Sequence, residues 1–117
     1  MTVNDYQKAC LRTESVAPSI NLKDNQYARI LQGLMGLNGE AGERIDILKK
    51  VLFQGHEFDK ERLAGELGDV AWYLAISANA LGYDLETIFK KNIDKLDKRY
   101  PDGFDPEKSV NRADGDI

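Results

Sequence analysis

Apolar residues recur at intervals of three and four positions along most of the chain, which is the spacing of one face of an α-helix. The pattern predicts one short amphipathic helix and three longer helices, over residues about 3–12, 26–53, 59–80 and 85–100. No segment shows the strict alternation that is typical of a half-buried strand. We therefore expect an all-α fold, an antiparallel bundle of about four helices with short connections.

The segments outside these helices are polar. Residues 13–25 contain Pro18 together with serine and asparagine residues, and this composition predicts a loop. Residues 101–117 are also polar, and we expect an extended or partly ordered tail there. Because 117 residues fit one domain, we expect a single domain over 1–117, with its helical core at about 26–100.

Charge and cysteine content narrow the range of functions. Lys plus Arg number 16 and Asp plus Glu number 20, so the formal net charge is -4, which argues against a general binder of nucleic-acid polymers. The single cysteine, Cys10, allows no disulfide within the chain. The sequence predicts neither a signal peptide nor an apolar run long enough to span a membrane. We therefore expect a cytoplasmic protein with no membrane partner.

One short motif occurs twice, in the middle of two predicted helices. Residues 37–43 read Leu-Asn-Gly-Glu-Ala-Gly-Glu, and residues 63–69 read Leu-Ala-Gly-Glu-Leu-Gly-Asp. Side chains three positions apart share a helix face. Each copy of the motif therefore presents a pair of carboxylates, Glu40 with Glu43 and Glu66 with Asp69. If the two helices are antiparallel, all four carboxylates converge on one patch.

Glycines are unusually frequent in these two helices. Six of them fall inside the predicted helical segments, at Gly33, Gly36, Gly39, Gly42, Gly65 and Gly68. Each costs about 0.5–1 kcal/mol relative to alanine, so the set costs about 3–6 kcal/mol. We expect close helix packing, or room for a ligand beside the acids, to offset this cost.

The acidic pairs have two interpretations. A pair of acids three positions apart is usually a solvated helix face, and this is the simpler interpretation of either pair alone. We take Ala41 and Leu67 as the centres of the two apolar stripes through which the helices would pack. Both acidic pairs then have the same angular offset from these packing faces, and this match instead favours a metal site. Carboxylate ligands without histidine suit a hard cation, so the expected cofactor is Mg²⁺, with Mn²⁺ as a possible substitute.

Basic and aromatic side chains could complete a phosphate site. On the last predicted helix, one face carries Asn92, Lys95 and Arg99, which could hold phosphate oxygens. Lys50 lies seven residues after Glu43, and Tyr73 lies four residues after Asp69, where it could stack on a base or orient a carboxylate. The alternative for the basic residues is that they are solvated and favour the dipole at a helix end.

Taken together, the motifs resemble those of the MazG-type nucleotide pyrophosphohydrolases, over about residues 27–104. The resemblance rests on Glu40-x-x-Glu43, on Glu66-x-x-Asp69 within Gly-Glu-Leu-Gly-Asp-Val, and on Asn92-x-x-Lys95-Leu96-x-x-Arg99-Tyr100-Pro101-x-Gly103-Phe104. One departure is Gly39, since the first motif of the family often begins with two adjacent glutamates.

The resemblance implies an all-α homodimer or homotetramer that uses Mg²⁺ to cleave a nucleoside triphosphate into the monophosphate and pyrophosphate. The metal ligands that it implies are Glu40, Glu43, Glu66 and Asp69. Its implied contacts with substrate phosphates or sugar are Lys50, Asn92, Lys95 and Arg99, and it extends to Arg112 in the tail. The missing acid at Gly39 leaves open the number of metal ions. It also leaves open which group activates water, for which Glu43 is our first candidate and Glu40 the second.

Two classes of function follow from the sequence. The leading hypothesis is a Mg²⁺-dependent nucleoside triphosphate pyrophosphohydrolase. The alternative is a non-catalytic helical module that binds nucleotides or another protein. Within the same superfamily, a dUTP hydrolase and a phosphoribosyl-ATP pyrophosphohydrolase are further alternatives, and the sequence does not predict the base that is recognised.

Overall fold

The computed structural model describes residues 1–14, 25–112 and 115. Within these residues the chain is all-α, as predicted, and it contains no β-strand. The helices are α1 (Val3–Cys10), α2 (Gln26–Gln54), α3 (Lys60–Leu81), α4 (Leu85–Arg99) and α5 (Pro106–Val110). A 3₁₀ turn over Leu11–Thr13 follows α1. Most of the predicted loop over 13–25 lies outside the described residues.

The ends of the long helices are determined by local sequence. Asn25 caps α2 by accepting a hydrogen bond from the Ala28 N–H, and Asp59 caps α3 by accepting one from the Arg62 N–H. Such caps satisfy backbone donors that have no partner within the helix. At its other end, α2 stops at Gly55, which has a φ of 72°, a left-handed conformation that glycine adopts without strain.

Of the two alternatives predicted for the tail, extended or partly ordered, the structure shows local order in one segment, because residues 106–110 form α5. Asp105 caps this helix by accepting a hydrogen bond from the Glu107 N–H, and Pro106 occupies its first turn. An acidic N-cap followed by proline is a recognised start signal for a helix. Because the tail is polar and this helix is only five residues long, the tail shows no apolar periodicity that would predict it.

The chain divides into two compact units, Met1–Asp84 and Leu85–Ile117. The first unit holds α1, α2 and α3, and its most deeply buried side chains include Ile76 and its alanine neighbours on α3. The second unit holds α4 and α5. The single domain over 1–117 remains a prediction.

Helices α2 and α3 pack antiparallel, as expected. Gly33 on α2 lies against Ser77 on α3, and Gly36 lies against the ring of Tyr73. Further along, Arg44 on α2 reaches Glu66 on α3. Increasing residue numbers on α2 are therefore paired with decreasing residue numbers on α3. This antiparallel register positions the acidic residues.

Only two of the six helical glycines serve close packing. A Cβ added at Gly33 would lie 3.1 Å from the Ser77 Cβ and 3.2 Å from its Cα, and one added at Gly36 would lie 2.5 Å from the Tyr73 Cζ. The other four glycines have no atom within 4 Å of such a Cβ. These four flank the acidic residues in sequence, and the space around them is open.

The centres of the predicted apolar stripes lie outside the contact between α2 and α3. Ala41 and Leu67, the centres of these stripes, are exposed, and 59% of Leu67 is accessible. Glycines allow the two backbones to approach on another face of each helix. The stripe on α2 is consequently left at the surface of the chain.

Replacing Gly33 with alanine should destabilise the protein by about 1–3 kcal/mol, because the new methyl group overlaps Ser77 and its backbone. The matched change, Gly42→Ala, meets no neighbouring atom and should stabilise α2 by about 0.5–1 kcal/mol. Chemical denaturation of both variants measures the two free energies of unfolding. Equal effects of the two substitutions would show that α2 and α3 do not approach closely at Gly33.

Candidate metal centre

The antiparallel register brings three carboxylates together. Carboxylate oxygens of Glu40 on α2 and of Glu66 and Asp69 on α3 lie within 4.8 Å of one another. The side chains of Glu40 and Glu66 are each 24% exposed, and Asp69 is exposed. The cluster is thus half-buried on the side of α2 and α3 and open to solvent at Asp69.

The donor set of this cluster suits a hard divalent cation. Each residue offers a carboxylate oxygen, and the three oxygens are close enough together to ligate one ion. Mg²⁺ and Mn²⁺ prefer oxygen ligands and commonly keep several coordination positions for water and phosphate. Three protein carboxylates with an open side therefore fit a metal that must also contact a substrate.

Glu43, the fourth predicted ligand, lies outside this group of three. Its side chain is 70% exposed, and its carboxylate accepts a hydrogen bond of 2.8 Å from Arg44 Nη2. On a helix of 100° per residue, Glu43 is rotated about 60° from Glu40. A direct role of Glu43 as a ligand remains a prediction.

Arg44 is the main residue that the sequence interpretation missed. Its guanidinium donates to Glu40 Oε2 at 2.6 Å, to Glu43 Oε2 at 2.8 Å and to the Glu40 backbone carbonyl at 3.1 Å, and it also pairs with Glu66. Only 13% of the side chain is exposed. The available signal was its position four residues after Glu40, which places both on one face.

Tyr6, on α1, is a second residue that sequence reasoning missed. Its hydroxyl donates to the Gly68 carbonyl at 3.4 Å, next to Asp69 in the chain. Burial raises the pKa of Tyr6 to about 12, and a hydrogen bond with Cys10 and the negative charge of Asp69 act in the same direction. The phenol therefore stays protonated at neutral pH. Nothing in the periodicity of residues 3–12 indicated this long-range contact.

Tyr73 lies on the face of α3 that meets α2. Its ring packs against Gly36 and meets the Trp72 ring edge-on, with centroids 5.0 Å apart. The indole of Trp72 in turn donates to the Thr13 hydroxyl at 2.8 Å. Tyr73 thus has a clear packing role, while its stacking on a base remains a prediction.

The predicted phosphate-binding residues are divided between the two units. Lys50 lies on α2 and pairs with Asp46 at 3.1 Å. Hydrogen bonds from Lys49 and Lys50 hold the pKa of Asp46 below its usual value. The remaining candidates, all in the second unit, are Asn92, Lys95, Arg99 and Arg112. Their contacts with substrate phosphates or sugar stay a prediction.

Comparison with known proteins gives a family and one relative. The MazG nucleotide pyrophosphohydrolase domain matches residues 30–104, which cover α3 completely and extend across both units. The gene 37 protein of Mycobacterium phage L5 is 39% identical over 82 residues, which amount to 67% of this chain and 72% of that protein. No solved structure gives a significant match. None of the helices in the described part of the chain has the length and apolar character needed to cross a bilayer.

If the cluster holds a metal, Glu66→Gln should weaken Mn²⁺ binding at least about tenfold, because it removes a charged oxygen ligand. The control is Asp46→Asn, which removes an exposed acid on α2 that pairs with lysines outside the cluster. Electron paramagnetic resonance of free Mn²⁺ gives both affinities. Equal loss of binding in the two variants would point to a general effect of net charge rather than to a defined site.

Proposed function

Because the chain belongs to the MazG nucleotide pyrophosphohydrolase domain family, we propose that it hydrolyses a nucleoside triphosphate to the monophosphate and pyrophosphate with Mg²⁺ as cofactor. The observation that carries the proposal is the convergence of Glu40, Glu66 and Asp69 across the contact between α2 and α3. The cluster unites the two repeated motifs of the sequence, which a solvated acidic face would not require.

The cluster supports this reaction chiefly through charge and position. A triphosphate is strongly anionic and would be repelled by three carboxylates alone. When bound, Mg²⁺ would supply positive charge that offsets this repulsion and polarises the anhydride. Glu40, Glu66 and Asp69 are the residues that would hold the ion.

Glu43 is the candidate base. Its exposed carboxylate lies on α2 beside the cluster and can accept a proton from the attacking water. The oxygen of that water joins a phosphorus atom, the bond between the α and β phosphates breaks, and pyrophosphate leaves. Glu40 is the second candidate for this role, although its carboxylate already belongs to the cluster.

The other predicted residues would bind the nucleotide. Contacts with phosphate or sugar are proposed for Lys50, Asn92, Lys95, Arg99 and Arg112. Tyr73 would contact the base from α3, and its packing against Gly36 holds the ring in place for this role. Cation and amide donors are suited to phosphate oxygens, and arginine can make two parallel hydrogen bonds.

We further propose that the enzyme is a cytoplasmic homodimer or homotetramer. The stripe along α2 exposes large apolar side chains at one helical spacing, namely Tyr27, Leu31, Leu34, Ile45, Leu48 and Leu52. Exposed apolar side chains of this kind favour association, because burial removes them from water. The buried free thiol of Cys10 is compatible with a reducing compartment.

Phosphorus NMR with Mg²⁺ and a panel of ribo- and deoxynucleoside triphosphates tests the reaction. We expect monophosphate and pyrophosphate as products, and at least about a hundredfold loss of turnover in Glu66→Gln and in Asp69→Asn. Both variants should retain their helical circular dichroism. The control Asp46→Asn should keep its activity, since that acid lies outside the cluster.

Other products would change the assignment. Diphosphate with orthophosphate would identify a different phosphohydrolase. Nucleotide binding without turnover would favour the non-catalytic module. Turnover of dUTP alone, or of phosphoribosyl-ATP when the rest of the panel is inert, would place the chain with those members of the superfamily.

The assembly is tested by light scattering after gel filtration. We expect the mass of a dimer or tetramer for the wild type, and a shift towards monomer for Leu31→Lys, which places a charge on the exposed stripe. The control Val110→Lys changes an apolar residue on α5 that is more exposed than Leu31, and it should leave the mass unchanged. A monomeric wild-type protein would contradict the proposed assembly.

A further inference from the structure

Arg44 already pairs with two of the carboxylates that a metal at the acidic cluster would use. Its guanidinium contacts Glu40 and Glu66, two members of the acidic cluster, and it bridges α2 to α3. It is also the most buried cation described at this cluster, with 13% of its side chain exposed. No step of the proposed hydrolysis uses this arginine.

The ion pairs of Arg44 balance charges that would otherwise repel. Carboxylates within 4.8 Å of one another raise the energy of the folded state when all are ionised. A single guanidinium with several donors can serve more than one carboxylate at the same time. Arg44 therefore offsets part of the repulsion between the carboxylates in the metal-free protein.

The same arrangement opposes a metal ion. The carboxylate oxygens that Arg44 engages on Glu40 and Glu66 belong to the group that would ligate the metal. A divalent cation held by these oxygens would repel the guanidinium, and both would use the same carboxylate lone pairs. Metal binding at the cluster thus requires Arg44 to give up at least part of these contacts.

An Arg44 released from Glu40 and Glu66 keeps its contact with the exposed Glu43 carboxylate, and it can gain a further anionic partner in place of the two that it loses. A buried or half-buried cation that loses anionic partners is destabilised, and a guanidinium matches the oxygens of a phosphate well. The substrate class proposed above supplies such oxygens next to the metal. In a metal–triphosphate complex, the metal is therefore the partner for the carboxylates, and the phosphate oxygens are the partner for the arginine.

We propose that Arg44 is an exchangeable counterion: it holds the acidic cluster in the metal-free protein, and it transfers to the phosphate oxygens when the metal–nucleotide complex binds. This inference rests on the proposed function, because it takes the metal and a triphosphate as its ligands. Its consequence is that metal and nucleotide bind cooperatively, each strengthening the binding of the other.

The test uses Mn²⁺ alone and Mn²⁺ with a non-hydrolysable triphosphate analogue, so that binding is measured without turnover. In the wild type we expect weak binding of Mn²⁺ alone and at least about tenfold tighter binding with the analogue. Arg44→Met should bind Mn²⁺ alone at least about tenfold more tightly, and the analogue should add little. Its melting temperature without metal should fall, and Mn²⁺ should restore it.

The chain offers a matched control in Arg29, which makes a two-point ion pair with Glu14 at 2.8 and 3.1 Å away from the cluster. Arg29→Met should lower the melting temperature but leave Mn²⁺ affinity within about twofold of the wild type. Arg44→Lys retains a cation at the cluster and should show an intermediate affinity, which gives a second reading if Arg44→Met folds poorly.

The outcomes separate this inference from the proposed function. Equal Mn²⁺ affinity in the wild type and Arg44→Met would overturn the exchange while leaving the metal centre intact. Loss of Mn²⁺ binding in Arg44→Met would also overturn it, because the arginine would then assist the metal. No Mn²⁺ binding by any variant, with or without the analogue, would overturn both the exchange and the metal-dependent function.

Discussion

The close approach of α2 and α3 at Gly33 and Gly36 is the contact on which the candidate site depends. A side chain at either position would hold the two backbones apart or displace Ser77 or Tyr73. With the helices in contact there, the antiparallel register leaves Glu40 opposite the acids of α3 one turn further along. The cluster is therefore positioned by two glycines that have no functional group of their own.

Placing three carboxylates together creates an electrostatic cost that the fold must offset. Arg44 does so from within α2, one helical turn after Glu40, and it reaches across to Glu66. In the exchange that we propose, the same contacts would compete with a cation that needs those oxygens. Stability without metal and affinity for metal would then be opposed at a single side chain.

The sequence predicted much of this arrangement because most of the signals were local. Helical periodicity and caps such as Asn25 and Asp59 act within a few residues, and so the long helices were predicted within one or two residues of their ends. The two acidic motifs could be related because each lies on one face of a regular helix. The contact of Tyr6 with Gly68 joins segments that are distant in the chain, and no periodicity encodes it.

The error about the packing faces has a physical origin. Apolar periodicity shows which face of a helix leaves water, but it does not show whether that face is buried within the chain or by another molecule. Glycine contributes little to such a pattern, although it allows the closest approach of two backbones. Gly33 and Gly36 on α2 face α3, whereas Ile45, which is 71% exposed, lies on the stripe that points elsewhere. An amphipathic helix with an additional glycine face can therefore serve two contacts at once, one that builds the acidic cluster and one that is available for a second copy of the chain.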